Sequence, residues 1–302
     1  MKTVLITGGT GLVGSRLTDM LLAKGYAVAH LSRSSGKNPH VKTFLWNVEK
    51  GEIDENALLE ADYLVHLAGA GIADKRWSAA RKREISESRT KSILLIANKL
   101  ENIPHHIQAL VSASGISYYG MDTGAEKVSE QHGVGADFLA DVRVAWEAAA
   151  DAVATLGIRT VKLRTGIVLS NSGGALPQLA LPIRWGVGAP LGSGKQYQSW
   201  IHIDDLCRLY IKAIEDNTMQ GAYNAVAPNP ITNAEFTQAV AKCLKRPLWL
   251  PNIPAFFMKL LLGEMAAVVL GGNYILSQRI EQETDFQYLF TDLQKTLEDL
   301  LK

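Results

Sequence analysis

A doubly wound, mostly parallel α/β sheet is the fold class that these 302 residues predict, with a smaller α/β unit at the carboxy-terminal end. Three observations carry it. An apolar run at the amino terminus leads into a glycine-rich turn over 7–14, an apolar helical stripe and a second strand come next, and strand-like segments then keep alternating with helical ones. Such alternation buries a parallel sheet between two helical layers through right-handed crossovers. The first domain is expected over 1–170, with segments around 197–225 returning to it, and the smaller one over 171–302.

Thr3-Val4-Leu5-Ile6 is the first strand, and Thr7-Gly8-Gly9-Thr10-Gly11-Leu12-Val13-Gly14 the turn into the first helix. One glycine permits the sharp turn, one lets backbone N–H groups approach a pyrophosphate, and one lets the helix pack on the sheet. The free N–H groups and positive dipole end of that helix face the same spot, which suits an anion. Leu17, Met20, Leu21 and Leu22 mark its apolar stripe, and Lys24-Gly25 its end. A second strand runs from about Ala27 to Leu31, completing a βαβ unit.

The residues at the end of that second strand select the dinucleotide. NAD sites usually place an acidic residue there for the ribose hydroxyls. Here Ser32-Arg33-Ser34-Ser35 stands instead, with no carboxylate between Asp19 and Glu49. A guanidinium beside hydroxyls fits a 2′-phosphate, so NADP(H) is the expected cofactor. A solvated surface arginine is the competing reading.

Further along, Ala61 to Gly69, Ala109 to Ser114 and Arg159 to Gly166 have strand character. Helices are expected over about 78–100 and 142–154. The apolar stretch from Ala255 to Leu270 holds Lys259, Gly263 and Glu264 and is too short to span a bilayer, so a buried amphipathic helix is expected there.

Composition narrows the function classes. At 47% hydrophobic and 20% charged, with 31 basic against 30 acidic residues, the chain offers no electrostatic basis for nucleic acid or an anionic membrane. A small-molecule substrate is the expected partner, with the protein a monomer or homodimer. Cys207 and Cys243 are far apart and form no metal or redox motif. The amino terminus is taken up by the first strand and helix rather than by a targeting segment, so a cytoplasmic location is expected.

The chain resembles the extended short-chain dehydrogenase/reductase superfamily, in its epimerase/dehydratase branch. The residues that carry the resemblance are Thr7-Gly8, Gly11 and Gly14; His66-Leu67-Ala68-Gly69; Ser112-Ala113-Ser114 with Tyr118-Tyr119-Gly120; Leu163-Arg164 with Gly166; and Trp200-Ile201-His202-Ile203-Asp204-Asp205. Asp137-Phe138-Leu139, Trp146-Glu147-Ala148-Ala149, Gly192-Ser193-Gly194 and Asn224-Ala225-Val226-Ala227-Pro228 are similar to an atypical branch that ends in a small domain of unassigned role. That resemblance implies a Rossmann-type fold and NADPH. It places Gly8, Gly11, Leu12 and Val13, with Thr10 and Gly14 of the same loop, at the pyrophosphate, and Ser32 and Arg33 at the adenosine ribose phosphate. It also sets Leu67, Ala68 and Gly69 against the middle of the cofactor, Glu84 and Arg89 within reach from the next helix, and Leu163 at the nicotinamide end.

In that superfamily a tyrosine, with a lysine four residues later, moves a proton while the nicotinamide moves a hydride. The pair is missing here: none of the nine tyrosines is followed by lysine at the fourth position, and none lies between Tyr119 and Tyr197. Ser114 keeps the place of the serine that binds a substrate oxygen, and Tyr118 or Tyr119 could replace the lost phenol; an aromatic pair that merely packs is the competing reading. Lys127 and Glu130 lie in a polar loop and could supply a proton, with a solvated loop charge as the expected reading. His202, Asp204 and Asp205 suit the start of a helix better than a metal, with Trp200 and His202 also candidates for the cleft wall. Gly-rich stretches at 172–177 and 185–196 suit a lid or cleft wall, with Arg164, Arg184 and Lys195 near in sequence. Two functions fit these residues: an NADPH-dependent oxidoreductase or epimerase-like enzyme with a displaced acid–base group, or an NADPH-binding sensor without turnover.

Overall fold

The computed structural model describes residues 1–36 and 38–302. Along the chain, β1 (Thr3–Thr7), α1 (Leu12–Ala23), β2 (Ala27–Ser32), β3 (Lys42–Asn47), β4 (Glu52–Ile53), α2 (Asn56–Leu59) and β5 (Tyr63–His66) come first. Next are α3 (Ala79–Leu100), β6 (Ala109–Gly115), β7 (Lys127–Val128), α4 (Phe138–Ala154), β8 (Arg159–Thr165), β9 (Ile167–Leu169) and α5 (Ala175–Arg184). The rest comprises β10 (Tyr197–Gln198), β11 (Trp200–His202), α6 (Ile203–Glu215), β12 (Gly221–Ala225), β13 (Ile231–Thr232), α7 (Asn233–Cys243), α8 (Ala255–Leu262), α9 (Ala267–Leu270), β14 (Tyr274–Ile275), α10 (Gln278–Glu283) and α11 (Leu293–Leu301).

The main sheet has the order β12-β8-β6-β5-β1-β2-β3-β4. Its pairs are parallel except β3 with β4. The chain runs outward from β1 through β3, then returns to place β5 on the other side of β1. Ligands of open α/β sheets bind at such a reversal, outside the carboxyl ends of the strands. Thr7 fastens this point, because its hydroxyl oxygen accepts from the backbone N–H groups of Leu67 and Ala68 at 3.2 and 3.1 Å.

Each face of the sheet buries its own core. Val4, Ile6, Val65, Val111 and Leu163 pack against α1 and α6. Leu5, Ala29, Leu64 and Leu110 pack against α3 and α4. A third cluster joins α5, α7 and α11 around Trp200.

Three expectations are corrected. The strand read over 61–69 spans only Tyr63–His66, so Leu67 to Gly69 form a loop free to line a cleft. The helix read from 142 begins at Phe138, where Asp137 accepts from the N–H groups of Leu139 and Ala140. The segment over 255–270 is not buried: Phe256 and Leu260 are 72% and 74% exposed, because no other part of the described chain covers their side of α8.

One buried carboxylate ties α6 to the segment between α10 and α11. Asp205, fully buried, accepts from the N–H groups of Leu289 and Phe290 and from Arg208. Hydrogen bonds to a charged group contribute about 1.5–3 kcal/mol each. Asp205→Ala is therefore expected to lower stability by roughly 3 kcal/mol in urea unfolding, and a loss within experimental error would refute this role.

Candidate functional site

The glycine turn is shaped by contacts that side chains would obstruct. Gly8 has φ +70°, and a Cβ there would stand 2.9 Å from the Leu67 carbonyl carbon. A Cβ on Gly14 would run into the Gly8 carbonyl oxygen, and one on Gly9 into the His30 ring. The Gly11 N–H closes the turn on the Gly8 carbonyl at 3.0 Å. Helix α1 then starts with no side-chain cap and no acid in its first turn, leaving its N–H groups to a ligand. Leu12 and Val13 turn their side chains into the core, so they can offer only backbone groups. Gly14 stands behind the turn as a packing residue.

Above this turn lies a cavity of about 780 Å³ lined in part by Gly8, Thr10, Gly11, Ser32 and Arg33, with Leu67, Ala68, Gly69 and Glu84 on its walls. Sequence reasoning missed four contributors, His30, Trp46, Asn47 and Glu49. His30 closes the floor, its Nε2 at 2.8 Å from the Thr18 hydroxyl, and burial lowers its pKa. Trp46 and Asn47 form a side wall at the end of β3, and the alternation of buried Phe44 and Trp46 was the available signal. Glu49 also borders the cavity. An uncapped helix end, a close-packed glycine turn, and Arg33 with hydroxyls fit the pyrophosphate and 2′-phosphate of NADP(H).

Two expected contacts are corrected. Leu163 is fully buried in the core beside β12 and cannot close a nicotinamide pocket. Arg89 is buried too, and its terminal nitrogens donate to the Ile85 and Ala70 carbonyls at 2.7 and 2.9 Å. It braces the loop after β5 rather than facing the cavity. Burial, then the Arg81 charge, pushes its pKa down to about 10.

At the end of β6 the candidate catalytic residues enter one buried network. Ser114 donates to Glu147 Oε1 at 2.7 Å. Glu147 also receives the Nε and Nη2 of Arg164, each at 2.8 Å. Arg164 Nη1 donates to the Tyr119 hydroxyl at 2.8 Å, and that hydroxyl donates to Asn224 Oδ1 at 2.8 Å. Tyr119 therefore has its proton engaged, and burial pushes its pKa up to about 12. Tyr118 stands half-buried with the Arg164 guanidinium 3.4 Å from its ring centroid, and its hydroxyl has no hydrogen bond among the described residues. Leu139, Arg143 and Glu147 succeed one another at four-residue spacing on the buried side of α4. Leu139 and Arg143 thus stand at the spacing of the tyrosine and lysine that the superfamily uses.

His66 sits beneath this network. The Trp146 indole N–H donates to its Nδ1 at 3.3 Å, which leaves the proton on Nε2, 2.8 Å from the Ser92 hydroxyl. Burial lowers its pKa to about 3, with the Arg89 charge adding to the effect. The imidazole is neutral in the fold while an unfolded histidine protonates near pH ~6.5. Its contribution is thus complete above pH ~6.5 and is lost as the pH falls toward 3, at about 1.4 kcal/mol per unit. Urea unfolding between about pH 7 and 5 should show a smaller acid loss in His66→Gln than in the parent protein; equal slopes would contradict this.

The remaining candidates disperse. Glu130 is not solvated: it accepts from the Asn224 N–H at 2.9 Å, and burial raises its pKa. Lys127 lies on β7 against the Tyr274 ring. His202 itself caps α6, accepting from the Asp204 N–H, and stacks on Phe290, while Asp204 pairs with Arg16. Trp200 is buried with its N–H on the Asn229 carbonyl, so it lines no cleft. Arg184 and Lys195 are exposed whereas Arg164 is buried, so the three cations form no common pocket. Among the described residues no cluster of three or more His, Cys, Asp or Glu side chains could hold a metal, and no helix is long and apolar enough to cross a membrane.

Known proteins resemble this chain along its whole length. The mouse epimerase family protein SDR39U1 is 35% identical over 301 residues, covering 99% of both chains. A crystal structure of the human epimerase family protein SDR39U1 with NADPH superposes with a TM-score of 0.87 at 33% identity, covering 99% of this chain and 98% of that one. A nucleoside-diphosphate sugar epimerase from Corynebacterium glutamicum superposes at 0.81 with 32% identity, covering 99% of this chain and 58% of that one. Residues 253–300 match a domain of unknown function, DUF1731. Since residues 4–225 match its model, the chain belongs to the NAD dependent epimerase/dehydratase family.

Proposed function

We propose that this protein is an NADP(H)-dependent oxidoreductase acting on a small molecule in the cytoplasm. The single observation that carries the cofactor is one cavity that joins the uncapped start of α1 to Arg33 and the Ser32 hydroxyl. The human relative crystallised with NADPH supports the same cofactor. When bound, NADPH supplies a hydride to an electron-poor carbon. Residues of this chain must then position the substrate and provide a proton to its oxygen. Tyr118 is the phenol we assign to that proton, because its hydroxyl is uncommitted whereas that of Tyr119 is held by Arg164 and Asn224. Ser114 can accept from the substrate while its own proton stays on Glu147.

A second reading, an NADPH sensor without turnover, is favoured by one observation: α4 (Phe138–Ala154) carries no tyrosine. Purified protein with NADPH and a panel of carbonyl, quinone and sugar-nucleotide compounds separates the two. Oxidation of NADPH by a member of the panel, reduced roughly 10²–10⁴-fold in Tyr118→Phe, supports the enzyme and its proton donor. Tight NADPH binding with no oxidation by any compound supports the sensor.

A further inference from the structure

We propose that the carboxyl end of β6 is a carboxylate-binding subsite whose ligand is the substrate, held by the guanidinium of Arg143. This rests on the reading of the cavity above the glycine turn as an NADP(H) site. Three arginines meet here, and their donors are used differently. Arg164 commits all three of its nitrogens to Glu147 and Tyr119. Both terminal nitrogens of Arg89 are held by backbone carbonyls. Arg143 is 8% exposed, and its Nε donates to the Ser117 hydroxyl at 3.0 Å. Its two terminal nitrogens have no hydrogen-bond partner among the described residues, yet neither is sealed from solvent. A buried fork with two free donors matches the two oxygens of a carboxylate.

Charge points the same way. Arg89 and Arg143 lie 5.1 and 5.5 Å from the centroid of the Trp146 ring, each on this one aromatic support. Glu147 is the carboxylate within the network, and Arg164 and Ser114 already occupy it. Burial, then the Arg89 charge, pushes the Arg143 pKa down to about 9, so it remains a cation at neutral pH. The Glu147 charge offsets only part of that, since its hydrogen bonds go to Arg164 and Ser114, so an arriving anion would relieve the remaining cost of the buried cation.

The cofactor pyrophosphate cannot serve as that anion. It belongs at the glycine turn after β1, and β6 is separated from β1 by β5. Two strand spacings amount to about 10 Å, too far for a hydrogen bond. Gly115 makes the position possible, since a Cβ there would stand 2.8 Å from Arg143 Nε and 3.0 Å from its Cζ. The residues that contact the Arg143 guanidinium, Gly115 and Ser117, are the chain neighbours of Ser114 and Tyr118.

The test titrates benzoate and oxalate, with benzamide and oxamide as neutral counterparts, into the protein with and without NADPH, read by calorimetry and ligand-observed NMR. The acids are expected to bind at least tenfold more tightly than the amides. Arg143→Met should abolish that preference while changing NADPH affinity less than twofold, and Arg143→Lys should restore part of it. Equal binding of acids and amides, no acid binding at millimolar concentration, or an acid preference that survives in Arg143→Met overturns the proposal. So does a large loss of NADPH affinity in Arg143→Met, which would assign the guanidinium to the cofactor. Failure of the parent protein to bind NADPH, with the acid preference intact, would instead refute the cofactor reading alone. The acid and amide comparison needs no variant, so poor folding of a substituted protein does not blunt it.

Discussion

Arg164→Met is expected to lower the stability of this protein by about 3–5 kcal/mol, because it strips a buried carboxylate of its partner. Arg164 and Glu147 are both more than nine-tenths buried and share two hydrogen bonds of 2.8 Å. Burial alone would lower the Arg164 pKa, but the hydrogen bonds and charge of Glu147 outweigh it and raise the value. Removing the guanidinium also frees the Tyr119 hydroxyl and takes away the cation above the Tyr118 ring. Urea unfolding measures the loss directly. A paired change, Arg164→Met with Glu147→Leu, should recover part of it, since no charge is then left stranded. A single-variant loss below about 1 kcal/mol would mean that the pair is not the keystone of this network.

Arg33→Asp should weaken NADPH binding by about 10–100-fold while leaving NADH within a few fold. Each charge-assisted hydrogen bond to phosphate contributes about 1.5–3 kcal/mol, and about 1.4 kcal/mol is tenfold in affinity. The new carboxylate would repel the 2′-phosphate yet could accept from the ribose hydroxyls of NADH. Fluorescence titration of both cofactors gives the ratio. An unchanged ratio would remove Arg33 from the site and leave the serines of the same loop as its readers.

The cofactor half of the site was legible because its determinants are local. Gly8, Gly11 and Gly14 are close in sequence, and Ser32 and Arg33 end the very next strand. The backbone turn, the open helix end and the adjacent cation therefore arise from one continuous βαβ unit. Leu163 was misplaced because a residue near the end of a strand can face either a helix layer or the cleft, and its fully buried position is set by neighbours from β12 and α6. Tyr118 and Tyr119 differ for the same kind of reason. They are adjacent in the chain, yet Asn224 on β12 and Arg164 on β8 claim the hydroxyl of only one.

What the sequence by itself determined is the family fold, the parallel sheet that its alternating pattern demands, and the absence of a tyrosine–lysine pair. All three depend on residue types and short spacings, which are fixed in the chain before it folds. Tertiary structure alone decided that Ser114 commits its proton to Glu147, that Arg89 braces a loop, and that Arg143 keeps a free fork. Those outcomes rest on partners 19 to 33 residues apart, Arg89 with Ala70, Arg143 with Ser117 and Ser114 with Glu147. Hydrogen bonds are short-ranged and directional, so which donors are engaged and which are left for a ligand is settled only when the strands bring those partners within about 3 Å.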